Sequence, residues 1–94
     1  MFEIRREGEG NLKLVGQLDA SAAEEARGMV QDLACSVTAD CAELDYISSA
    51  GLGVIMELYK RLHGLGLTLR LLNLSPHVRN VFRYSGLDRV IEIV

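Results

Sequence analysis

The sequence predicts a single-domain α/β fold: a mixed sheet with helices packed against it, its elements in the order β-β-α-β-α-β-α-β. Three observations predict it. The chain has 94 residues, 49% of them hydrophobic and 24% charged, which is enough for one core spanning 1–94 and too little for two. Apolar residues recur every second position in some stretches and every third or fourth in others, and the two kinds of stretch alternate. Glycines collect at the joints, at Gly8 and Gly10, Gly51 and Gly53, Gly64 and Gly66, and Gly86.

Residues 2–6 set Phe2 and Ile4 against Glu3 and Arg5, the period of a strand. Gly8-Glu9-Gly10-Asn11 is a hairpin turn by composition. Leu12, Leu14 and Gly16 alternate with Lys13 and Val15 in a second strand. Ser21-Ala22-Ala23-Glu24 fits a capping box, with hydroxyl and carboxylate each satisfying an amide at a helix start. Ala22, Ala26, Met29, Val30 and Leu33 follow at helical spacing. Residues 36–44 read as the third strand, with Val37, Ala39 and Cys41 on one face and Asp40 and Glu43 interrupting the pattern.

A second helix runs from about Ser49 to His63, with Leu52, Ile55, Met56, Tyr59 and Leu62 as its buried stripe. Val54, Leu58 and Leu65 fall off that stripe and either pad the edge of the core or form an exposed patch for a partner. Leu67, Leu69 and Leu71 alternate with Thr68, Arg70 and Leu72 in a fourth strand. The third helix starts on Ser75 as N-cap with Pro76 in the first turn, where a missing amide costs nothing. Val78, Val81, Phe82 and Ser85 face inward, Gly86 takes a left-handed end, and Leu87 folds back over it. Val90, Ile91 and Ile93 close the chain as a last strand.

Charge and composition exclude several functions. The net charge of -3 argues against nucleic acid as the main ligand, since phosphate binding rests on a cationic surface. The first residues carry charges where a signal peptide needs an apolar stretch, and no run approaches the ~20 apolar residues that span a bilayer. Cys35 and Cys41 form no C-x-x-C pair and are expected as buried free thiols. His63 and His77 lack partners at metal-ligand spacing. The expectation is a cytoplasmic protein with no metal, no cofactor and no membrane segment.

The unusual stretch is Asp45-Tyr46-Ile47-Ser48-Ser49-Ala50-Gly51-Leu52-Gly53, where the third strand hands over to the second helix. Two hydroxyls, a small residue and two glycines leave the backbone open to close approach. A helix N-terminus adds free amides and the positive end of the dipole. Ser48 or Ser49 is the natural N-cap. A nucleophile elbow needs G-x-S-x-G, which Ser49 lacks, and a phosphate-cradling loop needs a lysine that is absent before Lys60. Gly51-Leu52-Gly53 alone is a weak sign of nucleotide binding. The stretch is equipped to receive a group rather than to run a reaction.

Four segments in order carry a family resemblance: Gly16-Gln17-Leu18-Asp19-Ala20, the serine-glycine stretch above, Leu71-Leu72-Asn73-Leu74-Ser75, and Ser85-Gly86-Leu87-Asp88. Together they resemble the STAS domain, above all the stand-alone anti-sigma factor antagonists. The resemblance implies partner switching. In that family the unmodified antagonist binds an anti-sigma factor that is itself a serine kinase, and the sigma factor is released. The kinase then phosphorylates a serine at the start of the second helix, and a PP2C-type phosphatase reverses the step. By motif position the acceptor is Ser49. Ser48 stands where many members carry Asp and is the alternative acceptor.

The resemblance also implies that Asp19, Ser48, Ser49, Ala50, Gly51, Leu52 and Gly53 form the partner-binding surface. It gives Asp19 a part in binding the kinase; read from the residues alone, Asp19 is a helix leader that caps the first helix, left spare if the box at Ser21 and Glu24 forms. Asn73 and Ser75 are expected on the same rim in turn and cap roles. No catalytic residue is expected, and a monomer is. The competing reading keeps the fold as a permanent docking module in a stress-signalling, secretion-control or phospholipid-trafficking complex, with Ser49 unmodified.

Overall fold

The computed structural model describes residues 1–94. Its strands are β1 (Phe2–Arg6), β2 (Asn11–Leu18), β3 (Val37–Ile47), β4 (Leu69–Leu72) and β5 (Glu92–Ile93). Its helices are α1 (Ala20–Val30), α2 (Ser49–Gly64) and α3 (Pro76–Ser85), with a 3-10 turn at Leu87–Arg89. The five strands form one sheet in the order β1-β2-β3-β4-β5. β1 and β2 are antiparallel and every later pairing is parallel, so the expected mixed α/β architecture is the observed one.

Strand order alone decides where the helices go. Each new parallel strand is added on the same side of the last. A right-handed crossover repeated in one direction returns every helix to one face. Burial agrees: Leu12, Leu14 and Leu18 of β2, Val37, Ala39, Cys41, Leu44 and Ile47 of β3, and Leu69 and Leu71 of β4 all lie in the core. The alternate positions carry Glu3, Arg5, Lys13, Gln17, Asp40, Glu43, Arg70 and Glu92, none of them buried. Ion pairs cross this polar face, Lys13 Nζ to Glu43 Oε2 at 2.6 Å and Arg70 Nε to Glu92 Oε2 at 3.0 Å. Parallel sheets are usually covered on both faces; here the one-way winding leaves one face to solvent.

Several expectations need correction. β3 runs to Ile47 rather than 44, because two bulges break its period. Lys13 pairs with Asp40 but Val15 with Glu43, and Gly16 with Leu44 but Gln17 with Tyr46, so β3 twice takes an extra residue. Asp40 and Glu43 are therefore outward residues beside a bulge, not a break in the strand. At the first bulge the Asp40 carboxylate accepts from the Ala42 amide at 3.0 Å, which with the Asn73 amide holds its pKa below the ordinary carboxylate value.

In α2 the buried residues are Gly51, Val54, Ile55, Leu58 and Leu62, while Leu52, Met56 and Tyr59 are only half-buried. Val54 and Leu58 are core, not edge, since they face Arg27, Val30 and Gln31 of the α1 side. A helix touching both a sheet and another helix needs a wider apolar arc than one stripe supplies. Leu65 is exposed. The two helices are also clamped by Arg27, whose guanidinium donates to Glu57 at 2.9 and 3.0 Å, and by Arg61, which donates to the carbonyls of Val30 and Leu33.

β4 starts at Leu69, two residues later than expected, and β5 keeps only Glu92 and Ile93 because Leu87–Arg89 coil into the turn. Ser85 is exposed rather than inward; its hydroxyl donates to the Phe82 carbonyl at 2.9 Å. α3 otherwise follows its sequence signals: Ser75 caps it, Pro76 opens it, and Gly86 closes it at φ 80°, a left-handed value that favours glycine. Both cysteines are free. Cys35 is half-buried, while Cys41 is buried and burial pushes its thiol pKa up to about 12.

Candidate functional site

Leu18 and Ile47 are register partners at the ends of parallel strands β2 and β3. The residues that follow them, Asp19 and Ser48, are the N-caps of α1 and α2. Two helices therefore start side by side on one rim of the sheet. The Ser48 amide donates to the Leu18 carbonyl at 3.0 Å and stitches the two starts together.

Gly51 makes that closeness possible. A Cβ on it would lie 2.4 Å from the Leu18 carbonyl oxygen, 2.8 Å from Leu18 Cγ and 2.9 Å from Ile47 Cγ1. Only a residue without a side chain lets the first turn of α2 sit against the end of β2. Gly51 is buried, so it shapes the rim from beneath. Gly53 differs, with nothing within 4 Å of a Cβ placed there.

At α2 the Ser48 hydroxyl accepts from the Gly51 amide at 3.2 Å, and the Leu52 amide bonds the Ser48 carbonyl at 2.9 Å. Of the two candidate caps, Ser48 is the one used. Ser49 opens the helix, is exposed, and its hydroxyl has no partner within the protein. The Ser49 and Ala50 amides precede the first intrahelical bond and point out of the helix start. Ser48, Ala50, Leu52 and Gly53 are half-buried around them.

At α1 the expected capping box does not form. Asp19, not Ser21, is the cap: its carboxylate accepts from the Ser21 amide at 3.0 Å, the Ala22 amide at 3.1 Å and the Ser21 hydroxyl at 2.6 Å. Those bonds, the hydroxyl first, hold the Asp19 carboxyl below its ordinary pKa. Ser21 lies inside the helix, and Glu24 turns to Arg27 at 3.3 Å instead. Asp19 is thus the helix cap rather than a spare residue; its backbone follows Leu18, the register partner of Ile47, while its carboxylate is held on Ser21 and Ala22.

Asn73 is not on this rim. β4 ends where Leu72 pairs with Asp40, seven residues before the end of β3, and Asn73 (φ 60°) donates to the Asp40 carboxylate at 3.1 Å. α3, which follows, packs against β3. Its His77 ring stacks on Tyr46 with centroids 6.5 Å apart. Tyr46 belongs to the stretch singled out in the sequence, where it has no assigned role of its own, and the His77 ring of α3 is the neighbour that sequence reasoning missed.

Residues 2–94 match the protein-family model described as Mlab, STAS domain. The chain belongs to the STAS family. Two curated STAS relatives show the range of overlap. BtrV of Bordetella bronchiseptica is 50% identical over 50 residues, covering 53% of this chain and 43% of that protein. An anti-sigma F factor antagonist of Lysinibacillus sphaericus is 30% identical over 81 residues, covering 81% of this chain and 69% of that protein. The match to BtrV therefore covers less than half the length of that protein. Among solved structures, the unphosphorylated anti-sigma factor antagonist SpoIIAA superposes with a TM-score of 0.74 at 21% identity, over 100% of this chain and 87% of that one. The phosphorylated Bacillus SpoIIAA gives 0.72 at 24% identity, over 100% and 91%. At such identities the likeness establishes the STAS fold.

Proposed function

We propose that this STAS domain is an anti-sigma factor antagonist that works by partner switching, with Ser49 as the phosphorylated residue. The observation that carries the reading is the Ser49 hydroxyl, exposed and unbonded at the start of α2 beside amides with no intrahelical partner. Relatives named as antagonists and a fold shared with both forms of SpoIIAA support it. The unmodified chain binds an anti-sigma factor serine kinase through the rim around Asp19, Ser48, Ser49, Ala50, Leu52 and Gly53. ATP-dependent phosphorylation by that kinase ends the complex, and a PP2C-type phosphatase restores it. The chain itself catalyses no step and acts as a monomer in the cytoplasm.

The physical chemistry is local. A phosphate brings about -1.5 to -2 charges and strong acceptors. On α2 the helix end stabilises an anion, so the fold need not change. Buried against a partner with nothing to neutralise it, the same charge costs about 3 kcal/mol or more, which is roughly a hundredfold in affinity. Ser49 is favoured over Ser48 because the Ser48 oxygen already accepts the Gly51 amide and holds the helix start.

The test is to incubate the chain with its candidate anti-sigma kinase and ATP and locate the phosphate by mass spectrometry. Phosphate on Ser49, binding lost roughly a hundredfold in Ser49→Asp and kept in Ser49→Ala, is the expected result. Phosphate on Ser48 alone would move the acceptor. No phosphorylation, with both variants binding a partner normally, would establish instead a permanent docking module.

A further inference from the structure

The outer side of α3 and the turn after it are chemically distinct from the rest of the surface. Of the ten Lys and Arg side chains, Arg5, Arg6, Lys13, Arg27 and Arg70 each pair with a carboxylate. Arg61 is taken by the carbonyls that end α1. Three of the remaining four, Arg79, Arg83 and Arg89, lie together on α3 and the turn after it, exposed and without any partner. From Asn73 to Ile91 the only acid is Asp88, a local surplus of two positive charges in a chain of net charge -3.

The surface is also held in place. Val78 and Phe82 bury the inner side of α3, which fixes Arg79 and Arg83, four residues apart, as neighbours on its outer side. Beside them Tyr84 is 81% exposed, and Val90 beyond the turn is 47% exposed. Unpaired arginines beside an exposed tyrosine have the composition of an interface hot spot.

We propose that the outer side of α3 and the following turn, with Arg79, Arg83, Tyr84 and Arg89, is a second docking face that receives an acidic segment of a partner protein. Guanidinium groups hold carboxylates through paired hydrogen bonds, and the exposed Tyr84 ring, next to Arg83 along α3, supplies an apolar anchor at the edge of the pair. Three cations fall short of the roughly four to eight that mark lipid-headgroup recognition. They also fall short of the six to ten or so phosphate contacts of a nucleic-acid site, and the acidic remainder of a body only 29 × 26 × 20 Å repels an extended polyanion. A short acidic segment meets the arginines alone. The inference is independent of the Ser49 reading, and it makes the domain a two-sided adaptor.

The test uses the full chain and a short fluorescein-labelled peptide of alternating glutamate and leucine, read by anisotropy. Saturable binding is expected, weakened by rising salt and by roughly tenfold or more in the double variant Arg79→Glu/Arg83→Glu. Tyr84→Ser is expected to fall between, and Lys60→Glu, at an exposed cation on α2 outside both faces, to bind like the parent. Unfolding curves of the variants should stay close to the parent, with only the small loss that reversing Arg83 in the last turn of α3 brings, since the substituted side chains are exposed. Absence of peptide binding, or equal binding by the double variant, would overturn the proposal. So would tighter binding, through the same arginines, of phosphatidylserine vesicles or single-stranded RNA, or self-association abolished by the double variant.

Discussion

The two helix starts on the rim are built from the same parts and end differently. α1 and α2 both follow a parallel strand, and their caps follow register partners. At α1 the cap is a carboxylate that takes two amides and a hydroxyl, so the positive end of the helix already holds its anion. At α2 the cap is a neutral hydroxyl that takes one amide, and the next residue is an exposed serine with a free oxygen. One start carries a charged cap and the other a neutral one. On the proposed reading, the uncapped amides beside Ser49 matter as much as its hydroxyl.

The largest expected effect tests whether the α2 start depends on contact with β2. In Gly51→Ala the new methyl meets the Leu18 carbonyl at 2.4 Å, a backbone atom that cannot swing away. A loss of about 3 kcal/mol is expected, lowering Tm by roughly 12–24 °C for a domain of this size. Gly53→Ala, two residues on and with open space around it, should instead gain about 0.5–1 kcal/mol from helix propensity. Thermal unfolding of the pair decides it. If both changes are neutral, the two starts are not wedged together.

Next in size is the neutral cap. Ser48→Ala removes the acceptor of the Gly51 amide and should cost about 1 kcal/mol. Ser49→Ala, which removes a hydroxyl with no partner, should leave the denaturant midpoint unchanged. A reversed order would mean that Ser49 is the cap and Ser48 the free hydroxyl.

Much of this was legible in the sequence, and the gaps have physical causes. β1 and α3 were readable because each is specified locally, by strict alternation in one and by Ser75, Pro76 and Gly86 in the other. β3 was cut short because its bulges shift the period where a reader expects the strand to end. The start of α1 was misplaced because Ser21 and Glu24 satisfy a local pattern; the pairing of Leu18 with Ile47, which fixes where β2 stops, is not local. Likewise, Ser48 and Ser49 announced themselves, but nothing in their neighbourhood says that Asp19 stands beside them. Nor does it say that of two glycines in one motif only Gly51 is required by contact.

The charged cap should show itself through pH. Hydrogen bonds hold the folded-state pKa of Asp19 below its ordinary value of 3.8. Its contribution is therefore fully present above that value and lost as pH falls through the lower folded pKa. Asp32, Asp40, Glu43 and Glu57 are lowered too, so the parent's acid sensitivity is a sum over several groups. Asp19→Asn keeps a capping oxygen and removes the charge. The stability difference between parent and variant should be widest at neutral pH and shrink below pH ~4. A difference independent of pH would mean that the carboxylate is not what neutralises α1.

The smallest effect bears most directly on the uncapped amides beside Ser49. Ser49 and Ala20 are the first residues of α2 and α1, each directly after its cap. A carboxylate placed at Ser49 meets free amides and the positive end of the dipole, so Ser49→Asp should stabilise the fold by about 0.3–1 kcal/mol at low salt. Ala20→Asp puts the same charge next to Asp19, whose carboxylate already holds the Ser21 and Ala22 amides. Repulsion between the two should cancel or reverse the gain. Both responses should fade together as salt shortens the Debye length from about 30 Å at 0.01 M to about 3 Å at 1 M. Chemical denaturation of the two variants across that range measures both. Equal gains at the two positions would show that α1 is as ready for an anion as α2, and the asymmetry that singles out Ser49 would be gone.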